Sequence, residues 1–121
     1  MLNVVCLQGR LTHTPEIRKS QAGESYLSCS IAVARNYVKK GDTRETDFIN
    51  LVAWRGTADI IGKYFKKGDM ILVNGSLQAR KYKDKEGNLK TTYEVLVQNV
   101  NFPGSKENKE KSEEEFSEAP F

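Results

Sequence analysis

The chain has 121 residues, of which 38% are hydrophobic and 29% charged, and this is enough apolar material for one compact domain but not for two. Its longest aliphatic run, at positions 70–73, is too short to cross a bilayer, and its first residues lack a secretory signal, so we expect a soluble cytoplasmic protein with no membrane partner. Two cysteines and one histidine are too few for a disulfide framework or a clustered metal site, so we expect no metal and no cofactor.

The first half of the chain is predicted to form strands. Residues 2–11 are apolar at both odd and even positions, so both faces of this strand should be covered, one of them by another subunit. A loop and a possible short strand at 16–19 follow. Residues 26–38 alternate between larger and smaller side chains and form the second long strand. We expect Cys6 and Cys29, which lie in these strands, to be buried thiols.

Residues 47–55 form the most informative predicted strand, because their two faces differ. The odd positions are aliphatic, whereas the even positions place Phe48 and Trp54 on the same side as Asn50. Two rings around a polar amide make a poor core and a good recognition surface. This strand alone gives nearly equal support to the alternative, in which the even positions form a second hydrophobic face packed on another element.

One helix is predicted, at residues 57–67. Its isoleucine, tyrosine and phenylalanine side chains recur at helical spacing and form an apolar stripe. Thr57 can cap the start of this helix, and Gly68 can end it.

Residues 69–83 and 89–102 complete the predicted strands, with a hairpin turn between them and Gly75 at a bulge or a barrel bend. Five long strands with one helix between the third and the fourth are typical of an OB-fold, a five-stranded Greek-key barrel. We therefore predict an all-β OB-fold domain over residues 1–102. An SH3-like barrel or a small α+β domain is the competing interpretation.

The C-terminal stretch, residues 103–121, differs from the rest of the chain in charge. Residues 1–102 hold 16 Lys and Arg against 10 Asp and Glu, whereas the tail holds 3 Lys against 6 Glu. Too few apolar residues are present to offset the ordering entropy, so we predict a disordered acidic tail beside a basic body that meets a polyanion. The closing Pro120-Phe121 is compatible with a peptide ligand, although composition alone favours a solubilising tail.

Catalytic constellations are mostly absent from the sequence. His13 is the only possible histidine base, and it lies in a threonine-rich turn. The stretch from Gly56 to Lys63 has the wrong spacing for a phosphate-binding loop. Asp42, Glu45 and Asp47 cluster near one loop and not on several converging elements, which favours a solvated hairpin over a two-metal site. We therefore do not expect an enzyme.

Four aromatic residues lie beside cations on or near the predicted strands: Tyr37, Phe48, Trp54 and Tyr82. Flat rings stack on exposed bases at about 1–3 kcal/mol per base, and because duplexes offer no unstacked bases, the pattern favours single strands. The alternative is that Tyr37 and Tyr82 are ordinary tyrosines at the ends of strands. Candidate phosphate ligands, chosen by adjacency to aromatic residues, are Arg10, Arg35, Arg55, Lys63, Arg80, Lys81 and Lys83.

A series of segments occurs along the chain in a characteristic order and spacing: GRLT at 9–12, PEIR at 15–18, IAVARNY at 31–37, DFINLVAW at 47–54, YFKKG at 64–68, GSLQARKY at 75–82 and TTYEV at 91–95. In these segments, and in its last two residues, the chain resembles the bacterial single-stranded DNA-binding protein family. The resemblance implies an OB-fold assembled as a homotetramer around single-stranded DNA, which family members protect in replication, recombination and repair. It also implies a nucleoid-associated protein in which the positions of Tyr37, Phe48, Trp54 and Tyr82 stack on bases.

The resemblance extends to the tail, whose acidic tip in the family docks on replication, recombination and repair proteins. The corresponding partner-binding residues would be Glu113, Glu114, Glu115, Glu118, Pro120 and Phe121. The tail departs from the family pattern because it is short and rich in Lys and Glu, and because Phe116-Ser117 interrupts the acidic run. A specialised relative used in DNA uptake or carried by a mobile element is compatible with these departures. Two other functions stay open: an OB-fold RNA-binding module, and an oligomeric adaptor that acts mainly through its tail.

Overall fold

The computed structural model describes residues 1–103, which form six strands and one helix. In chain order these are β1 (Val5–Leu11), β2 (Arg18–Lys19), β3 (Ser25–Ala34), β4 (Thr46–Trp54), α1 (Arg55–Tyr64), β5 (Met70–Lys83) and β6 (Leu89–Asn101). The predicted short strand is present as β2. The expectations for the acidic tail concern residues 104–121 and lie outside the described residues.

The sheet closes into a five-stranded barrel. Its strand order is β1-β5-β6-β4-β3-β2, and β1 also pairs with β3, so five strands form a ring and β2 is attached outside it. The β4–β6 pair is parallel, whereas the other pairs described here are antiparallel. The helix connects the third and fourth barrel strands. This arrangement confirms the predicted OB-fold.

The core of the barrel is aliphatic and is closed at one end by the helix. Alternate residues of the strands point inward, as the period-two patterns of β3 and β4 predict. The helix contributes Ala58 and Ile61, and Phe65 follows directly after it. The fully buried large side chains are Leu11, Leu27, Ile31, Leu51, Ile61, Ile71, Val73 and Val95.

The helix bounds differ from those predicted. It begins at Arg55, directly after β4, with Trp54 as its N-cap and no side-chain cap hydrogen bond, so the prediction of Thr57 as the cap is wrong. It ends at Tyr64, three residues earlier than predicted, because Phe65 is already extended. Gly68 then adopts a φ of +88°, a conformation that favours glycine, and turns the chain into β5.

Two strand bounds differ from the predicted ones by three residues or more. β1 begins at Val5 and leaves Leu2 and Val4 exposed. β3 ends at Ala34, four residues before the predicted end, because a hydrogen bond from the Arg35 amide to the Glu45 carbonyl closes the ladder and a loop follows. Tyr37 therefore lies in the β3–β4 loop and not on a strand.

A β-bulge interrupts the β5–β6 pairing at Gly75, as predicted. Asn74 pairs with Asn99 and Gly75 with Val97, so Gln98 is the extra residue on β6. A Cβ at Gly75 would overlap the backbone carbonyl of Leu96, which explains the glycine. Beyond the bulge, β5 and β6 continue as a two-stranded arm, residues 77–94, whose turn is stabilised by the Asp84 carboxylate accepting two backbone hydrogen bonds.

The two thiols differ in environment. Cys29 is buried, and burial raises the pKa of its thiol to about 11. Cys6 is exposed on the outer side of β1, so the expectation that both thiols are buried is wrong for Cys6 in the single chain. Among residues 1–103, no helix is long and apolar enough to cross a membrane.

Candidate nucleic-acid interface

Three of the four predicted stacking residues share the outer face of the sheet. Phe48 and Trp54 are separated by an even number of residues on β4, whose odd positions Leu51 and Ala53 face the core. The register then connects β4 to the arm. Val52, on the same face as Phe48, pairs with Leu96 on β6. Lys90 lies six residues before Leu96, an even number, and therefore shares its face. Lys90 in turn pairs with Tyr82 on β5. Phe48, Trp54 and Tyr82 therefore point to one side, which we call the aromatic face.

The rings of the aromatic face are accessible. Phe48 is 69% exposed, Tyr82 47% and Trp54 41%. Tyr37, in the loop, is 82% exposed. Burial is the usual state of large aromatic side chains, and rings that are left this open on one face are typical of a binding surface. Among residues 1–103, the alternative of a second packed face on β4 is not observed.

β4 and β6 are paired over only a short stretch. Within the described residues, β4 and β6 pair only at Leu51–Val95 and Val52–Leu96. Because these strands are parallel, Lys90 and its partner Tyr82 lie level with the start of β4, close to the position of Phe48 along the strand. The pairing of β4 with β6 does not reach this end of the aromatic face, which carries Phe48 and Tyr82 and adjoins the β3–β4 loop with Tyr37. We call it the loop end.

The opposite end of the aromatic face is built around Trp54, and we call it the Trp54 end. Six residues of strand separate Phe48 from Trp54, which corresponds to ~20 Å. Tyr26 of β3 is the cross-strand partner of Trp54, and the two ring centroids are 5.1 Å apart at an interplanar angle of 29°. This is the geometry of a stacked pair. Trp54 is therefore held from one side before any ligand arrives.

Arg55 follows Trp54 in an unusual backbone conformation. Its φ is +57°, in the left-handed region that residues other than glycine rarely adopt. The sharp change of direction brings β4 directly into α1 and places the Arg55 guanidinium 2.9 Å from the Glu24 carboxylate. Arg55, one of the predicted phosphate ligands, is thus beside Trp54 and already paired with an acid.

Two of the predicted phosphate ligands lie on the aromatic face itself. Arg10 of β1 is the cross-strand partner of Ala32, which in turn pairs with Phe48, so these three form one row across the sheet. Arg80 is two residues from Tyr82 on β5 and shares its face. Cations at these positions can follow a phosphate backbone whose bases stack on the rings.

Lys81 and Lys83 lie on the opposite side of the arm from Tyr82, because side chains alternate along β5. Lys63 is on α1, and its amine lies 5.2 Å from the centroid of the Tyr64 ring. The fold therefore does not bring these three predicted phosphate ligands onto the aromatic face. They were predicted because each is adjacent in sequence to an aromatic residue. This criterion ignores the alternation of side chains between the two faces of a strand.

Arg35 is engaged by two carboxylates. Its guanidinium contacts Glu45 at 2.7 Å and Asp47 at 3.1 Å. The hydrogen bond from Arg35 lowers the pKa of the Asp47 carboxyl, and the same pair raises the pKa of Arg35. Two of the three loop acids considered for a metal site thus bind an arginine, and residues 1–103 contain no cluster of three or more potential metal ligands.

Sequence reasoning missed two residues of this surface. Tyr26 precedes the alternating small residues of β3 and belongs to their face, but only the β3–β4 register reveals its contact with Trp54. Lys90 faces outward beside Tyr82 and lies 3.9 Å from the Asp84 carboxylate. The predicted turn at 84–88 did contain a signal for Lys90. Counting residue pairs away from that turn along the two strands places Lys90 opposite Tyr82.

Comparisons with known proteins identify the family of the chain. Residues 2–103 match the model of a family described as the single-strand binding protein family. The chain is 45% identical over 107 residues to the single-stranded DNA-binding protein of Fusobacterium nucleatum, covering 87% of this chain and 69% of that protein. It is 39% identical to single-stranded DNA-binding protein 2 of Listeria monocytogenes, covering 89% and 68%, and 39% identical to single-stranded DNA-binding protein 1 of Staphylococcus aureus, covering 84% and 65%. The chain belongs to the single-strand binding protein family.

Proposed function

We propose that the chain binds single-stranded DNA without sequence preference and has no catalytic activity. Bases stack on Phe48, Trp54 and Tyr82, and Tyr37 joins them from the loop. Arg10 and Arg80 neutralise phosphates along the same face. Stacking tolerates any base because every base has a π-face, which accounts for the absence of sequence preference.

The observation that carries this proposal is the shared exposure of rings from two separate parts of the sheet. Phe48 and Trp54 come from β4 and Tyr82 from the arm, yet all three open to one side with cations among them. A duplex keeps its bases stacked inside, so this surface offers it only the phosphate contacts. The relatives named above are single-stranded DNA-binding proteins by their names, and the same ligand fits the geometry found here.

Titration with oligo(dT) tests the proposal directly. Trp54 is the only tryptophan of the chain, so we expect its fluorescence to be quenched as a base stacks on it. Affinity for the single strand should exceed that for a duplex of the same length, and log K should fall with log salt by about 0.7 per phosphate neutralised. Binding that leaves the fluorescence unchanged, or that favours the duplex, contradicts the proposal. An oligo(U) competitor that binds as well as oligo(dT) would instead favour an RNA ligand.

The proposal extends to assembly as a homotetramer. In the single chain, Leu2, Val4 and Cys6 are exposed along the outer side of β1 and the segment before it. Apolar side chains in such a row are usually covered in a stable protein. We expect light scattering to give four times the mass of the chain, and the mass of a monomer would contradict this part of the proposal.

The biological role that we infer is protection of single strands in replication, recombination and repair, in the cytoplasm and on the nucleoid. The acidic residues and the closing Pro120-Phe121 of the tail would recruit the enzymes of these processes. Deletion of residues 113–121 should then leave oligo(dT) affinity intact and abolish capture of such partners. Loss of DNA affinity in the deletion variant would contradict the assignment of DNA binding to the barrel and of partner binding to the tail.

A further inference from the structure

A groove lies beside the Trp54 end of the aromatic face. It has a volume of about 470 Å³ and is lined by Glu24, Trp54, Arg55, Leu96, Val97 and Gln98. This volume falls in the ~300–1,000 Å³ range of small-molecule sites. Its walls combine an indole ring, aliphatic side chains and a few polar groups, which is the composition expected for a flat, partly polar ligand such as a nucleobase.

The two sides of the Trp54 ring have different neighbours. On β3, which flanks β4 on one side, Tyr26 stacks on the indole. On β6, which flanks β4 on the other side, Leu96 and Gln98 line the groove. Tyr26 thus stacks on the indole from the β3 side, and the indole also lines the groove, whose β6 wall is formed by residues 96–98. A base that entered the groove would extend an existing stack of two rings.

Gln98 lies two residues after Leu96 on the outward face of β6 and lines the groove beside it. As the extra residue of the β-bulge, it has no partner of its own on β5. Its amide supplies both a donor and an acceptor, which can pair with the edge of any base. Bulges are frequent next to functional sites.

We propose that this groove seats one nucleobase between Trp54 and the β6 bulge, with Gln98 hydrogen-bonding the base edge and Tyr26 acting as the positioning residue for Trp54. The inference rests on the proposed function, since it specifies one base site within the single-stranded DNA surface. Tyr26 itself need not touch the DNA. Its role is to fix the indole so that no ordering of the ring is required when the base binds.

A Tyr26→Val variant tests the role of the backing ring, because valine keeps the preference for a strand and removes the stack. Affinity for oligo(dT) should fall about three- to tenfold, the range that an aromatic pair commonly contributes. Tyr26→Phe retains the ring and is the matched control, so its affinity should stay within about twofold of the parent. The free Tyr26→Val protein should also show an altered Trp54 emission spectrum, since the indole loses its neighbour.

An abasic oligonucleotide of the same length separates stacking from a general structural effect. The loss caused by Tyr26→Val should disappear on the abasic strand, because phosphate contacts do not need the ring. Gln98→Ala should weaken oligo(dT) binding and leave abasic binding unchanged, whereas Gln21→Ala, at an exposed turn between β2 and β3, should alter neither. Equal affinities of the Tyr26→Val variant and the parent for oligo(dT), or equal losses on both strands, overturn the inference. Failure of the parent itself to bind oligo(dT) overturns the proposed function instead.

Discussion

The two ends of the aromatic face are built differently. At the Trp54 end, the indole terminates a barrel strand, stacks on Tyr26 and is 41% exposed. At the loop end, Tyr37 lies outside the sheet at 82% exposure, and Tyr82 is carried by an arm that only β5 and β6 form. One end is supported by the barrel core and the other extends away from it.

This difference indicates where binding free energy is lost to ordering. A side chain already fixed by a neighbour gives most of its stacking energy to the ligand, whereas a free ring must first give up its rotamer freedom. We therefore expect the Trp54 end to contribute most per ring. The rings of the loop end keep more freedom, so they can adapt to DNA strands of different sequence and curvature.

The bulge lies between the groove at the Trp54 end and the arm that carries Tyr82. Disturbing it should therefore have the largest effect. A Gly75→Ala variant places a methyl group against the Leu96 carbonyl, which must distort both the arm and the position of Gln98. We expect a loss of more than about 3 kcal/mol in the free energy of unfolding, or failure to fold. Gly56→Ala is the matched control, because its Cβ meets nothing within 4 Å and alanine favours a helix. Similar denaturation midpoints for the two variants would contradict the role of the bulge.

The second test compares single rings at the two ends. Trp54→Ala should weaken oligo(dT) binding by about 2–3 kcal/mol and Tyr37→Ala by about 1 kcal/mol, the upper and lower parts of the range for base stacking. Fluorescence anisotropy of a labelled oligonucleotide measures both, since the first variant lacks the tryptophan. Thermal unfolding of each variant identifies any loss that comes from destabilisation. A larger effect at Tyr37 would reverse the ranking of the two ends.

The third test concerns the cations of the loop end. Arg80 and Lys90 share the face of Tyr82, whereas Lys81 and Lys83 lie on the other side of the arm. Replacing Arg80 and Lys90 together by Gln should reduce the salt slope of oligo(dT) binding by up to about 1.4, which is 0.7 per phosphate contact. The Lys81→Gln, Lys83→Gln pair removes the same charge and should change the slope less. Equal changes would mean that DNA contacts both sides of the arm.

The smallest expected effect is at the Arg35 ion pair, beside the loop end. Asp47→Asn should release part of the hold on Arg35, although Glu45 remains, and raise oligo(dT) affinity by less than about threefold with a salt slope steeper by at most 0.7. An unchanged affinity and slope would show that Arg35 does not reach the DNA.

The same pair has a pH dependence with a defined sign. Because Arg35 lowers the pKa of Asp47, the ionised pair stabilises the fold above the ordinary Asp pKa of 3.8, and this contribution is lost as the pH falls through the lowered value. Acid unfolding of Asp47→Asn should lack this component. Both groups are exposed, so the difference between the two acid transitions should be small.

Much of the fold was predictable because period-two alternation and glycine positions are local properties. The inner face of β4, the bulge at Gly75 and the turn before Lys90 follow from residues near each other in the chain. The Tyr26–Trp54 stack depends on the register between β3 and β4, which no local pattern specifies. Lys81 and Lys83 could have been excluded from the sequence, because local alternation already places them on the other side of β5 from Tyr82. The end of β3 was placed beyond Ala34 because the hydrogen bond from Arg35 to Glu45 joins two strands and is not a local property.

The closure of the barrel has a consequence for how the chain folds. β6 is the last strand of residues 1–103, yet it lies between β4 and β5, so both keep an unpaired edge until residues 89–101 have been synthesised. The β1–β5 ladder also joins positions such as Val5 and Gly75 that are far apart along the chain. Non-local pairing of this kind slows folding and leaves edges open to aggregation in incomplete chains. A ribosome-bound or truncated chain that lacks β6 is therefore the form of this protein most in need of a chaperone.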